Sequence, residues 1–69
     1  MKALDLITLD PEVMGGSPCI RGMRVTVGTI VGLIGEGHDK AEILKLYPYF
    51  QEEDVNQALQ YAARRSEEV

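Results

Sequence analysis

The sequence predicts a mainly α-helical domain with a short extended arm at its N-terminus. Three observations carry that expectation. Before Val25 the apolar residues fall in short β-prone runs broken by Pro11, Gly15, Gly16 and Pro18. After Thr26 they recur at helical spacing in three successive segments. The first two of these segments are bounded by capping residues, glycines or a proline, and the third by charges that suit a helix dipole. At 69 residues the chain makes one small domain, with the arm over 1–25 and the helical region over 26–67.

The arm opens with Leu6-Ile7-Thr8-Leu9, which Asp10-Pro11 stops by favouring a turn. Residues 12–17 read as a loop. Cys19-Ile20 and Arg24-Val25-Thr26 then flank Arg21-Gly22-Met23, the pattern of two strand pieces about a glycine-bearing turn. These pieces either pair into a small sheet or cross to a second subunit. Thr26 is a good N-cap for the first helix. Val27, Ile30, Val31 and Ile34 follow at i, i+3, i+4 and i+7, which places them on one face. Gly28 and Gly32 lie on a neighbouring face and cost up to about 1 kcal/mol each relative to alanine. Their spacing suits close approach of another backbone, such as a partner helix, and Gly35 and Gly37 end the element.

Asp39 and Glu42 have capping-box spacing at the start of a second, short helix. Ile43, Leu44 and Tyr47 form its apolar face, and Pro48 stops it by pushing Tyr47 out of helical geometry. Tyr49-Phe50 bridges to the last helix. Glu52, Glu53 and Asp54 complement the dipole in its first turn, and Arg64 and Arg65 do so in its last. Val55, Ala58, Leu59 and Ala62 make its apolar stripe, and the chain is expected to fray from Ser66 onward.

Charge and composition exclude several classes. The net charge of −4 argues against sequence-independent coating of nucleic acid, which needs a basic surface. No apolar run approaches the roughly 18 residues of a membrane span, and the first residues lack the apolar core of a signal peptide. With one free thiol in addition, a cytoplasmic protein is expected. Cys19 and the single His38 are too few for a structural metal site, and no cofactor motif or small-molecule site is visible. A core this small has no covalent or metal staple, so a homodimer is expected. An enzyme is not expected. Cys19 lacks a local base and sits among apolar neighbours, as an inert packing thiol does. His38 reads as a turn or capping residue. Glu52, Glu53 and Asp54, at consecutive helical positions, do not converge on one point.

The informative stretch is residues 15–25. Gly15, Gly16, Pro18 and Gly22 shape its backbone, and it holds Arg21 and Arg24, the two arginines outside the last helix. No acid occurs from Val13 to Gly35, so an acidic chain presents one positive turn. That contrast points to a specific partner.

The pattern Ile7-x-x-Asp10-Pro11, Gly15-Gly16-x-Pro18-x-Ile20-x-Gly22-x-Arg24-Val25, Gly37, Tyr47-Pro48 and Val55-x-x-Ala58-Leu59-x-Tyr61-Ala62 spans almost the whole chain. It resembles a family of small bacterial and archaeal proteins first catalogued as a domain of unknown function and described as VapB-type antitoxin-like. The chain departs from it at Ser17, where many members have lysine, and at Met23, where many have threonine. The resemblance implies a homeodomain-like three-helix fold containing a helix-turn-helix. It also implies a toxin partner, often a PIN-like nuclease.

Two uses of the positive turn follow. A helix-turn-helix sends the first residues of its second helix against base edges, but here these are Gln51, Glu52, Glu53 and Asp54, whose three carboxylates phosphates repel. DNA contact therefore falls to Arg21 and Arg24 on a paired-strand tip, with Lys40 and Lys45 adding phosphate contacts. Alternatively, an arginine on a stiff turn pairs with the carboxylate cluster of a metal-dependent nuclease and blocks it. The second use accounts for both the positive tip and the acidic body. The sequence thus reads as an antitoxin that neutralises a nuclease and represses its own operon. The alternatives are a DNA-binding regulator without a toxin and a structural dimerisation module.

Overall fold

A computed structural model describes residues 4–66; residues 1–3, and residues 67–69 of the tail expected to fray from Ser66 onward, lie outside them. In chain order the elements are β1 (Ile7–Thr8), β2 (Cys19–Ile20), α1 (Val27–Gly35), α2 (Lys40–Leu46) and α3 (Glu52–Ser66). The fold is mainly helical, a small helix-turn-helix-like bundle of three helices with a two-stranded sheet at its N-terminal end.

The extended pieces pair within the chain. β1 and β2 run antiparallel, with Ile7 opposite Ile20 and Thr8 opposite Cys19. Cys19 also bridges to Thr26, so the segment after β2 folds back on it as a hairpin. Residues 14–16, expected as loop, wind into one short 3₁₀ turn with Gly15 at φ 66° and Gly16 at φ 87°. Both angles lie where a side chain is strained, which is why two glycines stand there.

The helix boundaries follow local chemistry. Thr26 accepts a hydrogen bond from Thr29 N–H and caps α1. Asp39 and Glu42 form the reciprocal capping box of α2, and that helix ends at Tyr47 before Pro48. One apolar cluster joins arm and helices: Ile20, Val27, Ile30, Ile43, Phe50, Val55 and Ala58. Truncating Ile20, Ile30, Ile43 or Phe50 to alanine would leave a cavity costing about 2–5 kcal/mol.

Two expected faces are corrected. Val31 does not share the buried face of α1; it is exposed, and Leu33 packs against the core with Ile34. The reason is that α1 is buried chiefly by α3 along Val27 and Ile30, which leaves the side carrying Gly28, Val31, Gly32 and Gly35 outward. Gly28 and Gly32 meet no close backbone within the chain, since a Cβ on Gly32 would meet nothing within 4 Å and one on Gly28 only the Thr26 hydroxyl at 3.8 Å. Asp54, grouped by sequence with the dipole-complementing surface acids, is instead only 1% exposed.

Candidate functional site: an arginine turn clamped to the last helix

Ile20 to Met23 form a tight turn in which Met23 N–H donates to Ile20 O at 2.8 Å. Arg21 and Gly22 both have positive φ, 48° and 72°, as a type I′ hairpin turn requires. Glycine adopts this at no steric cost, whereas an arginine held there costs about 1–2 kcal/mol. Surrounding bonds compensate. Arg21 N–H donates to Leu6 O at 2.7 Å, and Gly22 N–H donates to Thr8 Oγ1 at 2.9 Å, so β1 grips the turn from one side.

From the other side the turn is held by α3. The Arg21 guanidinium donates through Nε to Asp54 Oδ1 at 2.8 Å and through Nη2 to Asp54 Oδ2 at 2.9 Å. Nη2 also donates to Tyr49 O at 2.9 Å. Asp54 Oδ2 accepts from Gln51 N–H at 2.7 Å as well, so one buried carboxylate both starts α3 and receives the arginine. Taking a carboxylate out of water is costly unless its charge is matched and its lone pairs are filled. Asp54 meets both conditions.

A second buried polar residue one turn along α3 docks the arm. Gln57 Oε1 accepts from Leu6 N–H at 2.8 Å, while its Nε2 donates to Asp5 Oδ1 at 2.9 Å and Glu53 Oε2 at 3.2 Å. No buried side-chain nitrogen or oxygen lacks a partner among the described residues. Sequence reading missed both Asp54 and Gln57. A signal existed, because Asp54 lies four residues before Ala58 and Gln57 four before Tyr61, which puts both beside the apolar stripe.

The remaining sequence-predicted residues divide clearly. Arg21, inside the turn, and Arg24, just past it, are both exposed, but Arg24 makes no hydrogen bond or ion pair among the described residues. Arg21 is committed on one edge to Asp54, with a side chain still 38% exposed. Lys40 and Lys45 stand on α2, not on the turn. Lys40 Nζ lies 3.4 Å from Glu52 Oε1 and ties α2 to α3. Lys45 is exposed beside a shallow cleft of about 300 Å³ that it shares with His38, Glu42 and Leu46. Gly15, Gly16, Pro18 and Gly22 act through the backbone; Pro18 O, for example, accepts from Val27 N–H at the start of α1. Cys19 is buried with its thiol turned to Ser17 O. No group of three His, Cys, Asp or Glu residues that could hold a metal ion occurs among the described residues, and no helix among them is long and apolar enough to cross a membrane.

A β-armed three-helix domain whose arm is tied to its last helix is thus the class of protein at hand. The chain belongs to the DUF433 family, described as proteins of unknown function, whose pattern matches residues 7–62. It is 32% identical over 60 residues to the uncharacterized protein y4eO of Sinorhizobium fredii (strain NBRC 101917 / NGR234). That match covers 87% of this chain and 27% of the relative. Among solved structures it is similar to a DUF433 member from Anabaena variabilis ATCC 29413, with a TM-score of 0.85 and 33% identity. The alignment covers 91% of this chain and 62% of that one. This chain therefore spans about a quarter of the length of the first protein and under two thirds of the second.

Proposed function

We propose that this chain is the antitoxin of a toxin–antitoxin pair, a non-enzymatic cytoplasmic homodimer that binds and neutralises a PIN-like nuclease. The observation that carries the reading is the contrast between the two arginines of one turn. Arg21 is neutralised by the buried Asp54, while Arg24, three residues on, stands exposed with no partner among the described residues. The turn is stiff, so the backbone that carries Arg24 is fixed before binding and only its side chain remains to be ordered. A nuclease active site with clustered carboxylates is the complementary surface, because a guanidinium pairs with them bidentately.

Repression of its own operon is a second role, favoured by the helix-turn-helix-like fold. The first turn of α3 is poorly suited to a DNA groove, since Glu52 is exposed there and Glu53 half-buried. DNA contact would rest on the arginine turn, with Lys45 adding a phosphate contact.

The test purifies the tagged full chain from its own host and assays any nuclease that co-purifies with it in stoichiometric amount; the absence of such a nuclease would overturn the antitoxin reading. Calorimetric binding and inhibition of RNA cleavage by the wild-type chain, both weakened tenfold or more in Arg24→Ala, are the expected results. Binding to its own promoter with a steep salt dependence, together with no effect on the nuclease, would replace the antitoxin reading with that of a regulator.

A further inference from the structure

In the small sheet β1 pairs with β2 on one side, and its opposite edge is open. The register tells which backbone groups face that edge. Arg21 N–H donates to Leu6 O and Thr8 pairs with Cys19, so Leu6 and Thr8 turn their backbone groups toward β2. In an antiparallel ladder these directions alternate, which leaves the Ile7 carbonyl and the Leu9 N–H on the open edge. Ile7 N–H turns back to Leu4 O, but Leu9 makes no hydrogen bond among the described residues. Leu9 is also 63% exposed. Beside it runs a groove of about 370 Å³, lined by Leu4, Ile7 and Leu9 of the arm and by Tyr61, Arg64 and Arg65 at the end of α3. None of these lining residues belongs to β2, so the groove lies on the side of β1 away from it. Ile7 and Tyr61 also pack against the core cluster, so an apolar occupant of the groove extends the core.

We propose that β1 of a second copy of this chain fills the groove, pairing antiparallel with β1 about a two-fold axis. This rests on the homodimer of the proposed function and gives it an interface. An open strand edge is a template for another strand. With Thr8 on the axis, each Leu9 N–H donates to the Ile7 carbonyl of the other copy, and the apolar linings of the two grooves become continuous. Charge selects the same occupant. Asp5 and Asp10 flank β1 and are exposed, and each has one carboxylate oxygen bonded within the chain: Asp5 Oδ1 accepts from Gln57 Nε2, and Asp10 Oδ1 from Glu12 N–H. Arg64 and Arg65 have contacts of their own, yet a guanidinium carries five N–H donors and takes more than one acceptor. The surface thus holds both signs, and Glu67 and Glu68, next in sequence, do not tip it positive. A partner of a single sign, whether a basic nucleic-acid-binding face or a carboxylate cluster, is opposed by part of such a surface. A second copy is not, because two-fold symmetry sets the patch against itself and lets the aspartates of one copy approach the arginines of the other. A core this small, without disulfide or metal, is completed by burying the joined sheet.

The full chain is followed by sedimentation equilibrium, and by amide hydrogen exchange at low and high protein concentration. The expected result is a dimer in which the Leu9 amide exchanges at least tenfold more slowly than in the dilute protomer. Leu9→Lys sets a charge in the paired edge and should raise the dimer dissociation constant tenfold or more. Leu9 is exposed in the protomer, so the melting temperature and helical circular dichroism of the dilute variant should stay near wild type. Wild-type dimerisation by a folded Leu9→Lys, or a wild-type dimer without protection at Leu9, would overturn the proposal and move the homodimer to another face. A wild-type chain that stays monomeric would remove both the proposal and the homodimer, leaving neutralisation of a nuclease to its own test. Protection at Leu9 is read on the wild-type chain, so the proposal stands or falls even where the variant does not fold.

Discussion

The arginine turn and the outer face of α1 both carry residues that disfavour folding when taken alone. In the turn these are a left-handed Arg21 and a carboxylate, Asp54, that is 1% exposed. On α1 they are Gly28 and Gly32, helical glycines with open space around them. The first pair is explained inside the chain. Each residue supplies what the other needs, and the bidentate contact spans 33 positions of sequence to fasten the arm to α3. The glycines have no such answer within one protomer. Where a local cost is met by a contact in the same chain it is structural; where it is not, the explanation has to be sought in what the chain meets.

The sharpest way to break this comparison is to cut the clamp. Arg21→Ala keeps the unfavourable backbone angle and strands a buried charge, so it should cost about 3 kcal/mol in chemical denaturation. Combined with Asp54→Ala in a double-mutant cycle, it should show a coupling energy above about 1 kcal/mol. A cycle that sums to zero would mean the contact contributes no stability. The arm's second tie is weaker. Gln57→Leu leaves the half-buried Leu6 N–H without its acceptor, so a loss of about 1–2 kcal/mol is expected. Hydrogen exchange at Leu6 should quicken more than exchange in α1, and uniform quickening would show that Gln57 supports the whole core.

These two ties were also the part of the fold least legible in the sequence. Helix boundaries were readable because their causes are local: Thr26 caps with Thr29, Asp39 with Glu42, and Pro48 stops what precedes it. The hairpin about Gly22 was readable for the same reason. Arg21 was recognised as a turn arginine but not as an occupied one, since its acceptors Asp54 and Tyr49 lie 33 and 28 positions away. Likewise three consecutive acids at a helix start look alike to the dipole argument. Only the packing of α3 turns Asp54 inward and leaves Glu52 outside. Val31 misled for a related reason, because α1 has no charged residue and only Thr29 to mark which side meets solvent.

The glycines give the next test, and its sign is what matters. With nothing near a Cβ at Gly32 and only the Thr26 hydroxyl near one at Gly28, alanine at both positions should stabilise an isolated protomer by up to about 1 kcal/mol each. Dilute thermal unfolding measures this. If the double variant instead melts lower, and does so more strongly at high protein concentration, a partner helix packs on that face and the expected homodimer uses it.

The smallest predicted change in stability belongs to Arg24. Its neighbour Arg21 is held at 38% exposure by a buried carboxylate, whereas Arg24 is exposed without a bonding partner among the described residues. Arg24→Ala should therefore alter unfolding free energy by less than about 0.5 kcal/mol, as surface substitutions do. Two arginines three residues apart would then differ severalfold in what they contribute to the fold, and the difference would lie in Asp54 and the Tyr49 carbonyl. A loss near that of Arg21→Ala would place Arg24 in the same structural network and leave the turn without an arginine to offer a partner. Near-neutrality keeps it available, because a charge that the fold does not use is one that binding can remove from water and pair without undoing the turn that presents it.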